Sequence, residues 1–303
     1  MHIVVAGMKR TLIAFLALGL LSACAGLTAP AAARSETPSQ SLKATGTAMS
    51  KVQSLRFDAT GTATLTLPQQ LVTQLQAKAG SQASLLGATT TVTFKVSGAV
   101  KRPDQLDANA SATIGGLTIT TELIATGGHL YYKNPMTQKW QSMTRSTAQP
   151  GKPPNSHLSY QTLLDTAKSL TEVTAKPSTL DGVAVDEYHI VPDLARLFAT
   201  LASGHASKNP QASTAIQQLL QNATVSADVW TGSGDHLVRR VSYDADVTAD
   251  LSQLASALGS ATGSPAHAFS IPAGSTGHLT AHVQLNLHDY NRSVTITAPT
   301  VGS

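Results

Sequence analysis

The chain has 303 residues, of which 13% are charged, 4% are aromatic and one is a cysteine. A single cysteine excludes a fold held together by intrachain disulfide bonds, since each bond needs two thiols. The formal net charge is +4, and neighbouring Lys and Arg residues occur only as isolated pairs. Because the sequence has no basic stripe, we expect no nucleic-acid partner.

The amino-terminal segment has the parts of a lipoprotein signal peptide. Lys9 and Arg10 supply positive charge, residues 11–23 form an apolar run, and Leu21-Ser22-Ala23-Cys24 ends it. The run is too short to cross a bilayer as a helix and has the length of a signal-peptide core. We therefore expect residues 1–23 to be removed, which lowers the formal charge from +4 to +2.

Cleavage before Cys24 would leave the cysteine as the first residue of the mature chain. We expect its thiol to carry a diacylglyceryl group, with acyl chains such as palmitate, that anchors the protein at the extracytoplasmic face of the cell membrane. Two or more acyl chains hold a protein stably on a membrane. The alternative for Cys24 is a small buried cysteine beside an apolar helix.

Residues 24–40 are rich in Ala, Pro, Ser and Thr and lack periodicity, so they are expected to form a flexible tether that follows the lipidated cysteine. Residues 41–303 are expected to form a single domain. A Pro-, Gly- and Ser-rich stretch at 144–155 resembles a linker between the two halves of that domain.

Helical periodicity appears at the start of the domain and again in its second half. Leu42, Met49 and Val52 recur near helical spacing and predict an amphipathic helix over 39–53. Further helical segments are predicted at 71–78, 156–170, 194–201, 216–220 and 251–258.

Alternation of apolar and polar residues dominates the rest of the chain and predicts β-strands. Turn signals such as Gly115-Gly116 and Asp181-Gly182 separate consecutive strands, as expected for antiparallel hairpins. We therefore expect an α+β fold in which helices lie against one face of a large antiparallel sheet. The predicted strands are 55–67, 92–100, 106–114, 117–125, 129–133, 139–143, 172–180, 183–191, 224–231, 236–247, 277–290 and 293–298.

The apolar face of the predicted sheet contains many small residues. Small side chains fill little space, so a curved sheet lined with them can leave an apolar void that takes up hydrocarbon. The alternative is that the small residues let helices pack closely against a filled core. We expect the lining of such a cavity to consist of Phe57, Ala59, Gly61, Ala63, Leu65, Phe94, Val96, Ala108, Ala110, Ala112, Ile119 and Leu123.

No motif for catalysis, phosphate binding or dinucleotide binding occurs in the sequence. His278, His282 and His288 share one face of a predicted strand, but spacings of four and six residues separate them by about 13 and 20 Å. One ion cannot contact ligands that far apart, so we expect no metal site. Because the motifs named above are absent, we also expect no cofactor and no enzymatic activity. A hydrolase is the least favoured alternative.

Several segments, taken in order, resemble the LppX/LprA/LprF/LprG family of bacterial lipoproteins, which has a fold like that of LolA and LolB. The resemblance covers most of the chain after the tether. It is carried by Val52-Gln53-Ser54-Leu55-Arg56-Phe57, Gly128-His129-Leu130-Tyr131-Tyr132, residues 181–190, Ala227-Asp228-Val229-Trp230 and residues 287–298.

The resemblance implies a curved antiparallel half-barrel whose concave face is covered by helices and encloses a cavity for a lipid or glycolipid. The expected function is lipid binding for transport or transfer across the cell envelope. An envelope sensor or protein-interaction module with the same fold and a filled core is the alternative, and it would need an envelope protein as partner.

Overall fold

The computed structural model describes residues 36–79, 87–144, 165–173, 178–197, 220–253 and 271–301. The signal peptide, Cys24, nearly all of the linker-like stretch and most residues of the helical segments predicted after residue 155 lie outside these ranges. No helix within them is long and apolar enough to cross a bilayer.

Twelve strands in the described part of the chain form one open antiparallel sheet with the order β6-β5-β4-β3-β2-β1-β12-β11-β10-β9-β7, and β8 also pairs with β9. The predicted fold class, a large antiparallel sheet with few helices, is confirmed. The helices are α1 (Pro38–Ser50) and α2 (Gln69–Ala79). The strands are β1 (Ser54–Thr66), β2 (Thr89–Lys101), β3 (Gln105–Ile114), β4 (Leu117–Thr126), β5 (His129–Lys133), β6 (Trp140–Thr144), β7 (Ala167–Glu172), β8 (Ser178–Leu180), β9 (Val183–Pro192), β10 (Ala223–Gly232), β11 (Val238–Asp250) and β12 (Thr276–His288).

The two halves of the chain meet in the middle of this sheet. β1 to β6 are antiparallel neighbours in chain order on one side, and β9 to β12 are so on the other. The first and last strands pair along almost their whole length, from Arg56 opposite His288 to Thr66 opposite His278. One continuous sheet therefore includes strands from both sides of the linker-like stretch.

Helix α1 begins at a capping box and ends close to the predicted boundary. Gln40 N–H donates to Thr37 Oγ1, Thr37 N–H donates to Gln40 Oε1, and Pro38 takes the first helical position, where its missing N–H costs nothing. Leu42 and Met49 are buried, because they face a core formed with β9, β10 and β11. The Tyr188 hydroxyl on β9 donates to Ser41 Oγ at 2.7 Å, which fixes the helix on the sheet.

The pairing of residues on neighbouring strands defines two faces of the sheet. Ala59 lies opposite Val96 on one side and Leu285 on the other, and Leu285 lies opposite Val241. We call this the apolar face, and α1 packs against its β9–β11 part. The opposite polar face carries Asp58, Thr60, Thr62, Thr64 and Thr66 of β1 and their cross-strand neighbours.

The prediction of helix for Ala167 and Leu170 is wrong, because both residues lie in strand β7. The pairing of β7 with β9 shifts register between Ala167 and Ser169. Such a bulge places residues three apart on the same face of a strand. Ala167 and Leu170 both pack against the core under α1, so their spacing imitated that of a helix.

The prediction of a strand over 293–298 is also wrong, since these residues form no strand. Val294 and Ile296 are buried against Ala99 and Ile124, which lie on the polar face. Ser54 Oγ donates to the Arg292 carbonyl at 2.5 Å and ties the start of this segment to β1. The segment is extended and buries every second side chain, so its sequence alternates as that of a strand does. It lacks the ladder of hydrogen bonds that defines a strand.

Candidate functional site

The structure places all twelve predicted lining residues on the apolar face of β1 to β4. Register aligns them in cross-strand rows, such as Ile119, Ala112, Phe94 and Gly61. The rows continue onto β12, β11 and β10, which the predicted lining did not include. The apolar residues of β1 therefore belong to an apolar face that spans both halves of the chain.

One end of this face is packed, and we call it the closed end. Phe57 is 1% exposed and forms a core cluster with Ala59, Val96, Ala108 and Leu123. At this end the side chains of neighbouring strands fill the space between them. The closed end therefore has the kind of packing that the filled-core alternative requires.

Two glycines at the centre of the sheet accommodate phenylalanine rings from the adjacent strand. Phe57 lies opposite Gly98, and Phe94 lies opposite Gly61. A Cβ atom added to Gly61 would lie 2.3 Å from Cζ of the Phe94 ring. The ring takes the place that a side chain at Gly61 would occupy, so Phe94 would be the residue of this pair that meets a ligand.

We expect Gly98→Ala to lower the free energy of unfolding by about 1–3 kcal/mol, as overpacking does. A Cβ atom on Gly98 would lie 2.1 Å from the Asp107 carbonyl oxygen, which belongs to the backbone and cannot rotate away. Gly61→Ala is the comparison variant, because its closest contact is the Phe94 ring, a side chain, and its backbone contact, the His282 carbonyl oxygen, lies at 2.9 Å. Urea unfolding of both variants should show the larger loss for Gly98→Ala, and equal losses would contradict this account.

The other end of the apolar face leaves large side chains in contact with solvent, and we call it the open end. Leu117 is 48% exposed, Ile119 is 41% exposed and Leu279 is 38% exposed. Leu279 lies opposite Leu65, so the exposed residues occur on both halves of the sheet. Leu117 and Ile119 lie on β4, and strands β3, β2 and β1 separate them from Leu279 on β12.

A strip of alanines crosses the apolar face next to the open end. Ala63, Ala281 and Ala245 lie directly opposite one another on β1, β12 and β11. Leu65, Leu279 and Val247 border the strip on one side, and Gly61, Val283 and Tyr243 border it on the other. The strip is thus a row of methyl groups that crosses three strands and is bordered mostly by larger side chains.

Ala245, Ala281, Leu279 and Tyr243 are residues of this surface that the predicted lining did not contain. The alternation along β12 carried the signal, since Leu279, Ala281 and Val283 occupy every second position. Burial raises the pKa of Tyr243, so its hydroxyl keeps its proton at neutral pH. It supplies a neutral hydrogen-bonding group beside an otherwise apolar strip.

The polar face carries histidines that are each paired with an aspartate on an adjacent strand. His282 Nδ1 lies 2.8 Å from Asp244 Oδ1, and His278 Nε2 lies 2.8 Å from Asp246 Oδ1. The same type of contact joins His189 to Asp228 at 2.6 Å and His288 to Asp58 at 2.9 Å. His278, His282 and His288 thus have separate partners, as their predicted spacing along one strand requires.

A shallow depression of about 370 Å³ lies on the polar face across β10, β11, β12 and β1. Eight of its ten lining residues form two cross-strand rows, the other two are Ala245 and Ala281, and more of the lining surface is apolar than polar. These rows are Ser226, Asp244, His282 and Thr62, and Thr224, Asp246, Thr280 and Thr64. Among the described residues, no three His, Cys, Asp or Glu side chains are placed to hold a metal ion together.

Comparison with known proteins found similarity only at the level of structure. No family model matches the sequence, and no curated protein matches it. The lipoprotein LppX of Mycobacterium tuberculosis is similar with a TM-score of 0.42 and 15% identity, over 86% of this chain and 98% of LppX. LprF from Mycobacterium bovis has a TM-score of 0.42 and 13% identity, over 88% of this chain and 97% of LprF.

A third similar structure is a domain assigned as an outer membrane lipoprotein-sorting protein from Vibrio parahaemolyticus. Its TM-score is 0.19 and its identity 10%, over 78% of this chain and 87% of that domain. LppX and LprF are the same type of lipoprotein that the sequence motifs resemble.

Proposed function

We propose that this protein is a lipid-anchored envelope lipoprotein of the LppX/LprF type that binds the acyl chain of a lipid or glycolipid on its apolar face. Cys24 would hold it at the extracytoplasmic side of the cell membrane. The bound lipid would be sheltered from water during transfer across the envelope. The protein would act as a carrier and not as an enzyme.

The observation that supports lipid binding is the open end of the apolar face. Leu279 is exposed beside the alanine strip of Ala63, Ala281 and Ala245, and the cross-strand row of the strip continues through Val92 and Ile114 to the exposed Leu117 on β4. An acyl chain laid along this whole row would cover Leu117 and pass beside Ile119 and Leu279. Each methylene removed from water contributes about 0.8 kcal/mol, so a long chain binds firmly without any charged contact.

The closed end supports the alternative, a sensor or interaction module with a filled core. Phe57 fills the space above Gly98, so no ligand is needed to complete the packing there. The two candidate functions differ at the alanine strip. A carrier needs the strip to stay accessible, whereas an interaction module does not.

The test is the uptake of a fluorescent fatty acid by the full-length protein and by variants with a ring in the strip. Ala63→Phe and Ala281→Phe should each weaken uptake about tenfold, since a ring occupies the place of several methylenes. Thr93→Phe is the control, because Thr93 is exposed on the polar face of β2. It should leave uptake unchanged.

Stability measurements on the same variants distinguish the alternatives. In a carrier, Ala63→Phe should change the free energy of unfolding by less than about 1 kcal/mol, because the strip is only partly buried. A loss of about 1–3 kcal/mol, together with unchanged fatty-acid uptake, would support a filled core and remove the proposed carrier function.

A further inference from the structure

The depression on the polar face consists of groups that both donate and accept hydrogen bonds. Five of the eight side chains in its two rows are hydroxyls, at Thr62, Thr64, Thr224, Ser226 and Thr280. Within the described ranges, Thr64 is the one among them with a hydrogen-bond partner, Thr91 at 3.1 Å. The remaining hydroxyls are therefore available to a ligand.

The two carboxylates are fixed by histidine and keep one oxygen available. Asp244 Oδ1 contacts His282 Nδ1, Asp246 Oδ1 contacts His278 Nε2, and neither Oδ2 atom has a hydrogen-bond partner among the described residues. Each contact spans β11 and β12 and restricts the rotamers of both side chains. Restricted acceptors lose less entropy when a ligand binds.

The dimensions of the depression match a small ligand. Four adjacent strands and two positions along each strand give an area of about 14 by 7 Å, at about 4.8 Å per strand and 3.4 Å per residue. A volume of about 370 Å³ lies within the range of small-molecule sites. The site therefore has room for one or two sugar rings.

The chemistry of the lining excludes several classes of ligand. No Lys or Arg lines the depression, and two carboxylates would repel an anion. The lining combines hydroxyl and carboxylate groups with apolar surface, to which Ala245, Ala281 and the threonine methyl groups contribute, and this mixture suits both the hydroxyls and the C–H faces of a sugar ring. A calcium ion needs six to eight oxygen ligands, and no three acidic or histidine side chains among the described residues are placed to share one ion.

We propose that this depression binds a neutral, polyhydroxylated ligand, namely a sugar residue, either free or within an envelope polysaccharide. Sugar hydroxyls would donate to the Oδ2 atoms of Asp244 and Asp246, and the threonine hydroxyls would bind the remaining polar groups. The methyl groups of Thr62 and Thr280 offer apolar contact to the C–H faces of the ring. The side chains of its two rows lie on the face opposite the alanine strip, but Ala245 and Ala281 belong to both, so sugar binding is measured separately from fatty-acid uptake.

The experiment exposes the full-length protein, in a detergent without a sugar headgroup, to an array of neutral mono- to tetrasaccharides. The affinity of each variant is then measured for the sugar that binds. The sugar is used once free in solution and once immobilised on beads, and comparison of the two affinities separates a free sugar from a polymeric one as the ligand. Asp244→Asn and Asp246→Asn should each weaken binding about tenfold, as expected for the loss of one hydrogen bond to a charged group. Thr62→Val should weaken it about threefold through loss of a neutral hydrogen bond.

Asp228→Asn is the matched control, since Asp228 pairs with His189 Nδ1 in the same way but does not line the depression. It should leave sugar affinity within about twofold of the original, because no ligand contact is removed. Two results would overturn the proposal. One is the absence of any bound sugar at millimolar concentration, and the other is equal affinity in Asp244→Asn and Asp228→Asn. Binding of calcium or spermidine that depends on Asp244, without sugar binding, would assign the depression to cations instead.

Discussion

Replacing Phe57 with alanine should lower the free energy of unfolding by about 3–5 kcal/mol, the largest loss expected for any single apolar truncation in this sheet. Phe57 is 1% exposed and is the largest of the fully buried side chains in the described part of the chain. Its ring lies against Gly98 on β2, so truncation would leave a cavity at the centre of the closed end. Chemical unfolding followed by circular dichroism measures the loss.

Leu117→Ala is the control for this change. Leu117 lies on the same face at the open end but is 48% exposed, so its truncation should cost no more than about 1 kcal/mol. The difference between the two variants measures how unequal the two ends of the apolar face are. A loss below about 1 kcal/mol for Phe57→Ala would contradict a packed closed end.

Replacing Cys24 with alanine should abolish lipid attachment completely. The thiol of Cys24 is the only one in the chain, so no other residue can accept a thioether-linked diacylglyceryl group. Metabolic labelling with an alkyne analogue of palmitate, followed by mass spectrometry of the mature amino terminus, reports the change.

Ser22→Ala is the control for the cysteine variant, because it keeps a small residue before the cleavage position. It should be labelled like the original protein. If Cys24→Ala still incorporated the fatty-acid analogue, the proposed lipid anchor at Cys24 would be wrong.

The strands were predictable because one physical requirement shapes them. A sheet that is buried on one face needs apolar side chains at every second residue, and β1 satisfies this from Leu55 to Leu65. The hairpin turn at Gly115-Gly116 was predictable for a related reason, since both glycines have positive φ.

The alternation of apolar and polar residues could not reveal whether an extended segment pairs with a neighbouring strand, or with which one. Val294 and Ile296 alternate with polar residues as strand residues do, yet they pack across the polar face of the sheet. At Ala167 and Leu170 the bulge in β7 converts a period of two into a spacing of three. Hydrogen-bond partners and bulges depend on residues far away in the chain, and a local pattern does not contain them.

The candidate site was predictable in part for the same reason. Alternation correctly places Ala59, Ala63 and Ala110 on one face. It does not say which neighbour fills the space above a small residue, and for Gly61 that neighbour is the Phe94 ring. The alanine strip depends on the register of β1, β12 and β11, which brings together residues more than 180 positions apart in the sequence.

The pairing of β1 with β12 has a consequence for biosynthesis. β1 lies at the centre of the finished sheet, but its partner β12 is the last of the described strands to be synthesised. Until β12 arrives, β1 has an unsatisfied hydrogen-bonding edge that other chains can join. Such long-range contacts slow folding, so a chaperone that keeps the nascent chain extended until β12 has been made would protect it from aggregation.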